Sequence, residues 1–357
     1  MRVIAFANQK GGCGKTTVAT NLAAALTQIE KRVLLLDNDP QGHATLAYGF
    51  LERDFSLSTY DFYMTSDILV EDAFLEITPS FHLVPAGIEL SAVEQVLARE
   101  QDKERRLIQS LRRSALPYDY ILIDCPPSVG LLTFNALLAC SEVIIPVDPS
   151  NYGLHAVRKL KETLGVLRET LGHDLISHLL LANFDTRSRF THALAEELEA
   201  LYGSELLQTI IHHTVRVKEA ASAGVPVIRY DTQSRGALDF RNLAREMVEQ
   251  EVDLTVSALD HWVALLYGPE VQKEHVTFLA DFPRAKTVQV TGSFNDWSLE
   301  GLPLQRRQDG VWECRVKLNA GEHEYRYIVD GDWRSDPHNR EFVSNRYGDT
   351  NSLVRVP

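Results

Sequence analysis

The run "QKGGCGKTT" at residues 9–17 holds what chemistry on phosphates needs. Gly11, Gly12 and Gly14 let the backbone curl so that amide N–H groups point inward at anionic oxygens. The helical pattern that starts at residue 15 adds its positive dipole end. Lys15 is spaced to reach the β and γ phosphates, and the Thr16 hydroxyl to ligate Mg²⁺. Cys13 and Thr17 complete the loop. The general pattern asks for glycine where Gln9 stands, and a second lysine, Lys10, follows at once.

Such a loop must be held between a strand and a helix, and the chain supplies both repeatedly. "RVIAFAN" (2–8), "RVLLLDND" (32–39), "YILIDCPP" (120–127), "EVIIPVDP" (142–149) and "HLLLANFD" (178–185) are nearly continuous apolar runs. They read as strands covered on both faces, as in a parallel sheet. Helical patterns such as 15–29 and 153–171 lie between them. The alternation predicts a doubly wound α/β fold with a mostly parallel sheet. After about residue 270 the texture changes to short alternating runs, "TVQVTG", "VWECRVKL", "EYRYIVDG" and "SLVRV", separated by turns such as "FNDW" and "NAGE". That pattern predicts an all-β, immunoglobulin-like sandwich. The expected division is 1–268 for the α/β domain, 269–284 for a linker and 285–357 for the sandwich.

Two domains also suit a length of 357 residues. Apolar content of 45% and charged content of 24% are those of a soluble globular protein. No run is long enough to span a bilayer, and the start is too short in apolar residues for a signal peptide. Cys13, Cys125, Cys140 and Cys314 are widely spaced, as for reduced thiols in a cytosol, so a cytoplasmic location is expected. The net charge of −13 leaves room only for a local basic patch.

"KGGCGKTTVATNLAAAL", "KRVLLLDNDPQGHAT", "YILIDCPPSVGLLTFNALLA" and "VRVKEAASAGVPVIRYDTQSRGALDFRNLAREM" together resemble the ParA/MinD ATPases with a deviant Walker A loop, the ParA branch in particular. The resemblance implies ATP and Mg²⁺ as cofactors and an ATP-dependent homodimer. Lys10 matches the signature lysine that reaches the partner's nucleotide. Lys15 and Thr16 match the Walker lysine and the metal ligand. Asp39 matches the switch I aspartate that orients the attacking water and stands near the metal, and Asp124 the Walker B carboxylate. Asn183, in "ANFD", joins the nucleotide-contacting set. Asp37 has two readings: the main polar group of switch I, or a strand-end residue supporting the metal shell. His43 stands where asparagine is common and Cys13 where valine is, the latter read as packing rather than redox sensing.

The family's two branches bind different large surfaces. The segment 247–266, "MVEQEVDLTVSALDHWVALL", is acidic and apolar. A membrane helix would carry Lys/Arg on its polar face, so the segment reads as a helix packed on the ATPase domain, with no membrane partner. For non-specific DNA and a nucleoid location the candidates are Arg187, Arg216, Lys218, Arg235, Arg241 and Arg245, through salt-sensitive phosphate contacts. The competing reading has them as solvated surface, or paired with Glu219 and Glu246.

The C-terminal stretch from Thr287 to Val356, with "GSFNDW", "GEHEYRYIVDGDWRSDP" and "YGDTNSLVRV", resembles the family 48 carbohydrate-binding modules, including the glycogen-binding module of the AMP-activated kinase β subunit. The resemblance implies an α-glucan site at Trp297, Arg326, Trp333 and Asn351, with Tyr347 and Asp349 nearby, Asp349 being a departure. Sugar rings stack their C–H faces on indoles. Trp297 and Trp333 fall in polar turns, while Trp312 alternates like a core residue. Three functions compete: a positioning ATPase with a glucan cargo, a nucleotide-gated glucan sensor without DNA, and a partition ATPase whose module docks a protein.

Overall fold

In the computed structural model the described residues are 1–65, 68–100, 103–114, 117–150, 153–171, 173–250, 268–272, 275–280, 282, 285–307, 311–336, 339, 341–345 and 349–356. The chain divides into two compact units, Met1–Thr255 and Val256–Pro357.

The first unit is built on a seven-stranded sheet. Its strands are β1 (Arg2–Phe6), β2 (Val33–Asp37), β3 (Leu75–Thr78), β4 (Phe81–Val84), β5 (Tyr120–Asp124), β6 (Glu142–Val147) and β7 (Ile176–Leu181), in the order β3-β4-β2-β5-β1-β6-β7. Every pairing is parallel except β3 with β4. The five apolar runs in the sequence are β1, β2, β5, β6 and β7. β1, β2, β5 and β6 are buried at every position because helices cover both faces. The edge pair β3–β4 escaped the sequence reading because β3 is only half-buried and carries no continuous apolar run. Helices Lys15–Gln28 and Gly153–Leu171 match the expected segments. The helix Lys15–Gln28 packs Val18, Leu22 and Leu26 into a core with Phe240, Leu243 and Met247 of the helix Arg235–Glu249. Of the helix expected at 247–266, the part from 251 lies outside the described residues.

The second unit holds two antiparallel sheets. Strands β8 (Glu270–Gln272), β9 (His275–Ala280), β10 (Val288–Gly292), β11 (Leu302–Pro303), β12 (Gln305–Arg306), β13 (Trp312–Lys317), β14 (Gly321–Val329), β15 (Asp332–Arg334), β16 (Phe342–Ser344) and β17 (Thr350–Val356) form β12-β13-β9-β8 and β11-β10-β14-β17-β16, with β15 on β14. Phe278, Val290, Trp312, Tyr325, Tyr327 and Val354 from both sheets share one core. Trp312 is core as expected, its indole N–H donating to the Phe282 carbonyl at 3.1 Å. The expected linker 269–284 needs correction. It contains β8 and β9, and β9 pairs along its whole length with β13, so it supplies a central strand of the smaller sheet.

Candidate functional site

The phosphate loop leaves β1 and enters the helix Lys15–Gln28 through two left-handed residues, Gly12 at φ 73° and Gly14 at φ 99°. Any Cβ there would be strained, so glycine is required by the backbone itself. Cys13 between them is fully buried, and burial pushes its thiol upward, which fits packing and not a reactive thiolate. Lys15 is buried, and its Nζ donates to the Lys10 carbonyl at 3.3 Å, folding the ammonium over the loop.

Strands β2 and β5 are neighbours in a register that sets Asp37 opposite Asp124, so both carboxylates emerge at one sheet end. Asp37 is fully buried and works on the chain itself. Its Oδ2 accepts from the Thr45 amide at 2.8 Å and the Thr45 hydroxyl at 2.7 Å, and its Oδ1 from the Asp39 amide at 3.2 Å. It thereby pins both ends of the loop that carries Asp39. Burial pushes the Asp37 carboxyl up to about 6, against the pull of the Thr45 hydrogen bonds. Asp124 is different. Both its oxygens are buried and have no hydrogen-bond partner. Burial first, then the charge of Asp37, holds its carboxyl well above the usual range, while the Thr16 hydroxyl and the Lys15 charge favour the ionised form. Two buried carboxylate oxygens beside a threonine hydroxyl fit a divalent cation, since Thr16 and Lys15 offset their desolvation only in part. Among the described residues no group of three His, Cys, Asp or Glu side chains could hold a metal alone. The residues that would hold Mg²⁺ are Thr16 and Asp124, with Asp39 adjacent and phosphate oxygens completing the shell.

Thr16 and Asp39 border a cleft of ≈ 470 Å³ that is also lined by Gly11, Gly12, Gly14, Lys15, Thr17 and His43. Ala182, Asn183, Ile211, His212, Thr214 and Lys218 line it as well, with Ala182 against Gly14. Asn183 sits in the left-handed region at φ 56°. Lys10 does not point into this cleft's loop from its own chain: its Nζ is held by the Asp148 carboxylate and by the Ser150 hydroxyl at 2.7 Å. Asp148 and Ser150 had no role in the sequence reading; only their place just after β6 hinted at one.

The basic candidates for DNA are all exposed or half-exposed, and Arg187, Arg216, Arg235 and Arg241 are engaged. Arg187 pairs with Asp185 at 2.9 Å. Arg216 pairs with Glu219 at 2.8 Å and Asp231 at 3.2 Å. Arg235 pairs with buried Asp239 at 3.1 Å, and Arg241 donates to Gln28 and to the Thr232 carbonyl. Lys218 lies on the nucleotide cleft wall. Glu246 accepts instead from the backbone amides of Gln208 and Thr209.

In the second unit the register places Arg326 of β14, Trp333 of β15 and Asn351 of β17 on the sheet face away from the core residues Tyr325, Tyr327 and Val354. Trp333 lies on a strand rather than in a turn; the turn is Asp330–Gly331, both left-handed, which closes the β14–β15 hairpin. Trp297 is carried by two successive left-handed residues, Asp296 and Trp297. The two indoles lie nearly parallel, 27° apart with centroids separated by 6.3 Å, and Trp333 is 38% exposed. The polar groups beside them bind one another. Arg326 contacts Asp349 at 2.6 Å and the Trp333 carbonyl at 3.2 Å. Asn351 donates to Glu324 at 2.8 Å and accepts from Asn345 at 3.0 Å. Glu324 and Asn345 were missed by the sequence reading because their part depends on cross-strand register. Tyr347 lies outside the described residues.

A mostly parallel sheet with a phosphate loop after its first strand, a buried, unpartnered carboxylate on a neighbouring strand and a nucleotide-sized cleft defines a P-loop ATPase. Residues 1–177 match the family described as "AAA domain", and residues 282–357 the one described as "Glycogen recognition site of AMP-activated protein kinase". The chromosome partitioning protein ParA of Myxococcus xanthus is 37% identical over 251 residues, covering 70% of this chain and 89% of that protein. The sporulation initiation inhibitor protein Soj of Bacillus subtilis is 39% identical over 247 residues, covering 69% and 98%. Cobyrinic acid a,c-diamide synthase from Mycobacterium smegmatis, solved with a bound ATP analogue and magnesium, superposes with a TM-score of 0.61 at 29% identity, covering 70% of this chain and 95% of that one. The chain belongs to the ParA family of partitioning ATPases, and it uses ATP and Mg²⁺. When bound, Mg²⁺ neutralises charge on the phosphate oxygens. The chain's own residues are placed for the rest: the loop amides and Lys15 line the side where phosphates would sit, and Asp37 fixes the Asp39 loop. Among the described residues no helix is long and apolar enough to cross a membrane.

Proposed function

We propose that this ATPase positions an α-glucan cargo, such as glycogen, on DNA. ATP joins two copies through Lys10, which leaves Asp148 for the partner's nucleotide. The joined form holds DNA phosphates without sequence preference, through Arg187, Arg216 and Lys218. Asp39 aligns the water, hydrolysis separates the copies, and the C-terminal module carries the glucan on Trp297 and Trp333, with Arg326 and Asn351 beside them. The family ties to partitioning proteins support the ATPase half. The observation that carries the whole reading is the pair of near-parallel indoles, Trp297 half-buried and Trp333 exposed, fused to such an ATPase, because partly exposed tryptophans on an ordered face fit a stacking ligand.

A second reading, a nucleotide-gated glucan sensor without DNA, is favoured by one observation. Each of the DNA arginines Arg187, Arg216, Arg235 and Arg241 is already engaged within its own chain. Sedimentation of the full chain with DNA and with glycogen, each with and without ATP, separates the two. ATP-dependent pelleting with DNA and ATP-independent pelleting with glycogen is expected. Glycogen binding without DNA binding selects the sensor, and loss of both leaves the module as a protein-docking surface.

A further inference from the structure

We infer that Arg326 and Asp349 form a clasp that sets the angle of the Trp333 indole, and that Arg326 is a positioning residue there and not a donor to sugar hydroxyls. The clasp takes its ligand from the glucan reading proposed above and rests on that reading for it.

The indole face needs such a device because little else holds it. Trp333 is the middle residue of β15, a strand of three residues that are all exposed. Among the described residues β15 pairs only with β14, with Trp333 opposite Ile328. A short edge strand without a buried side chain has no packing to fix the angle of its tryptophan. Yet the Trp333 ring lies only 27° from the plane of Trp297. A stacked sugar senses that angle, because its C–H face must lie along the indole.

Arg326 supplies the missing hold. Its Nη2 donates to the Trp333 carbonyl at 3.2 Å, and its Nη1 meets Asp349 Oδ2 at 2.6 Å. Its side chain is only 12% exposed, and its Nε is buried without a hydrogen-bond partner. A guanidinium donates and never accepts. Two of its nitrogens are committed within the chain, and the third is out of a ligand's reach.

Asp349 is anchored in its turn. Its Oδ1 accepts from the Thr350 amide at 2.8 Å. Its own amide donates to Asn345 Oδ1 at 3.1 Å, and its carbonyl accepts from the Asn345 amide at 2.8 Å. The Thr350 amide first, and then Arg326, hold its carboxyl below the usual range. Asn345 also donates to Asn351, and Asn351 to Glu324 of β14. Trp333 is thus tied through Arg326 to Asp349 and Asn345, to β17 and back to β14. Charge-assisted hydrogen bonds of this kind are short and directional, which suits them to fixing geometry.

The test uses the full chain with Asp349→Asn, which keeps an oxygen for the Thr350 amide, Arg326→Met, which keeps the apolar stem, and the double variant. Maltoheptaose affinity is measured by calorimetry. The indole N–H resonances are followed by nuclear magnetic resonance without sugar, assigned with Trp333→Phe and Trp312→Phe. Each single change should weaken maltoheptaose about fivefold, and the double change no further, as for two halves of one contact. The Trp333 resonance should move in both single variants while that of core Trp312 stays in place. Unchanged or tighter binding by Asp349→Asn overturns the inference, since Arg326 would then be a sugar donor that the carboxylate holds back. So do additive losses, an unmoved Trp333 resonance, or a Trp312 resonance that shifts as well and so marks a loosened module. A wild-type chain that binds no maltoheptaose defeats the glucan reading, and the Trp333 resonance then decides the clasp by itself.

Discussion

The two units commit their polar groups in opposite ways. At the ATPase site polar groups are left unsatisfied: both oxygens of Asp124 are buried without a partner. On the C-terminal face they are largely spent on one another, as Arg326 with Asp349 and Asn351 with Glu324 and Asn345. An orphaned buried carboxylate costs free energy that a cation recovers, so the ATPase site is tuned for charge. A face with self-paired polar groups keeps its surplus in apolar area, so the indoles must carry affinity there. The contrast assigns electrostatic recognition to the first site and, if the proposed glucan reading holds, recognition by shape to the second.

Four experiments can break or sharpen that contrast. The largest effect belongs to Asp39→Ala, which should slow hydrolysis on the order of a hundredfold or more while ATP stays bound, since it removes the group aligning water. Steady-state turnover alongside nucleotide affinity checks it, and near-normal turnover would remove Asp39 from the mechanism. Next, Trp297→Ala and Trp333→Ala should each weaken glycogen retention about tenfold, in native gels containing glycogen. Turnover without glucan should be unaffected. Trp312→Ala is the control: it should lose binding by unfolding the module, seen by circular dichroism. Retention in all three would mean that shape is not what binds.

The third experiment concerns acid stability. Asp37 titrates near 6 in the folded chain, against 3.8 for the ordinary carboxyl. Between these values the folded state holds a proton that the unfolded chain has released. Asp37's contribution to stability is therefore lost as pH rises through that window and regained as pH falls. In the absence of nucleotide and Mg²⁺, Asp37→Asn should flatten this part of the stability–pH curve in thermal melts; a curve identical to wild type would refute the assignment. The smallest effect is Arg216→Glu on DNA. Its guanidinium is already shared with Glu219 and Asp231, so binding should fall only several-fold, with the salt slope reduced by about one. An unchanged slope would take Arg216 off the phosphate backbone.

Much of this was legible because the signals are local. "QKGGCGKTT" states its own backbone needs, and β1, β2, β5 and β6 advertise double-sided burial as apolar runs. Trp312 could be placed in the core from its alternation. The edge strand β3 and the strands β8 and β9 were missed, because short strands take their identity from a partner distant in sequence. β9 is defined by β13, more than thirty residues later.

The sequence by itself determined the phosphate loop, because glycine and lysine chemistry are properties of single residues and short spacings, while the metal carboxylate and the sugar residues were expected only from resemblance to known families. Only the tertiary structure decided how they are committed. Asp37 and Asp124 look alike as strand-end aspartates. Yet one is saturated by Thr45 and the Asp39 amide, and the other is left bare. Arg235 looks like any surface arginine until Asp239 and His212 are found across from it. Hydrogen bonds and ion pairs between residues far apart in the chain depend on register and burial, and those are fixed only when the sheets and helices pack.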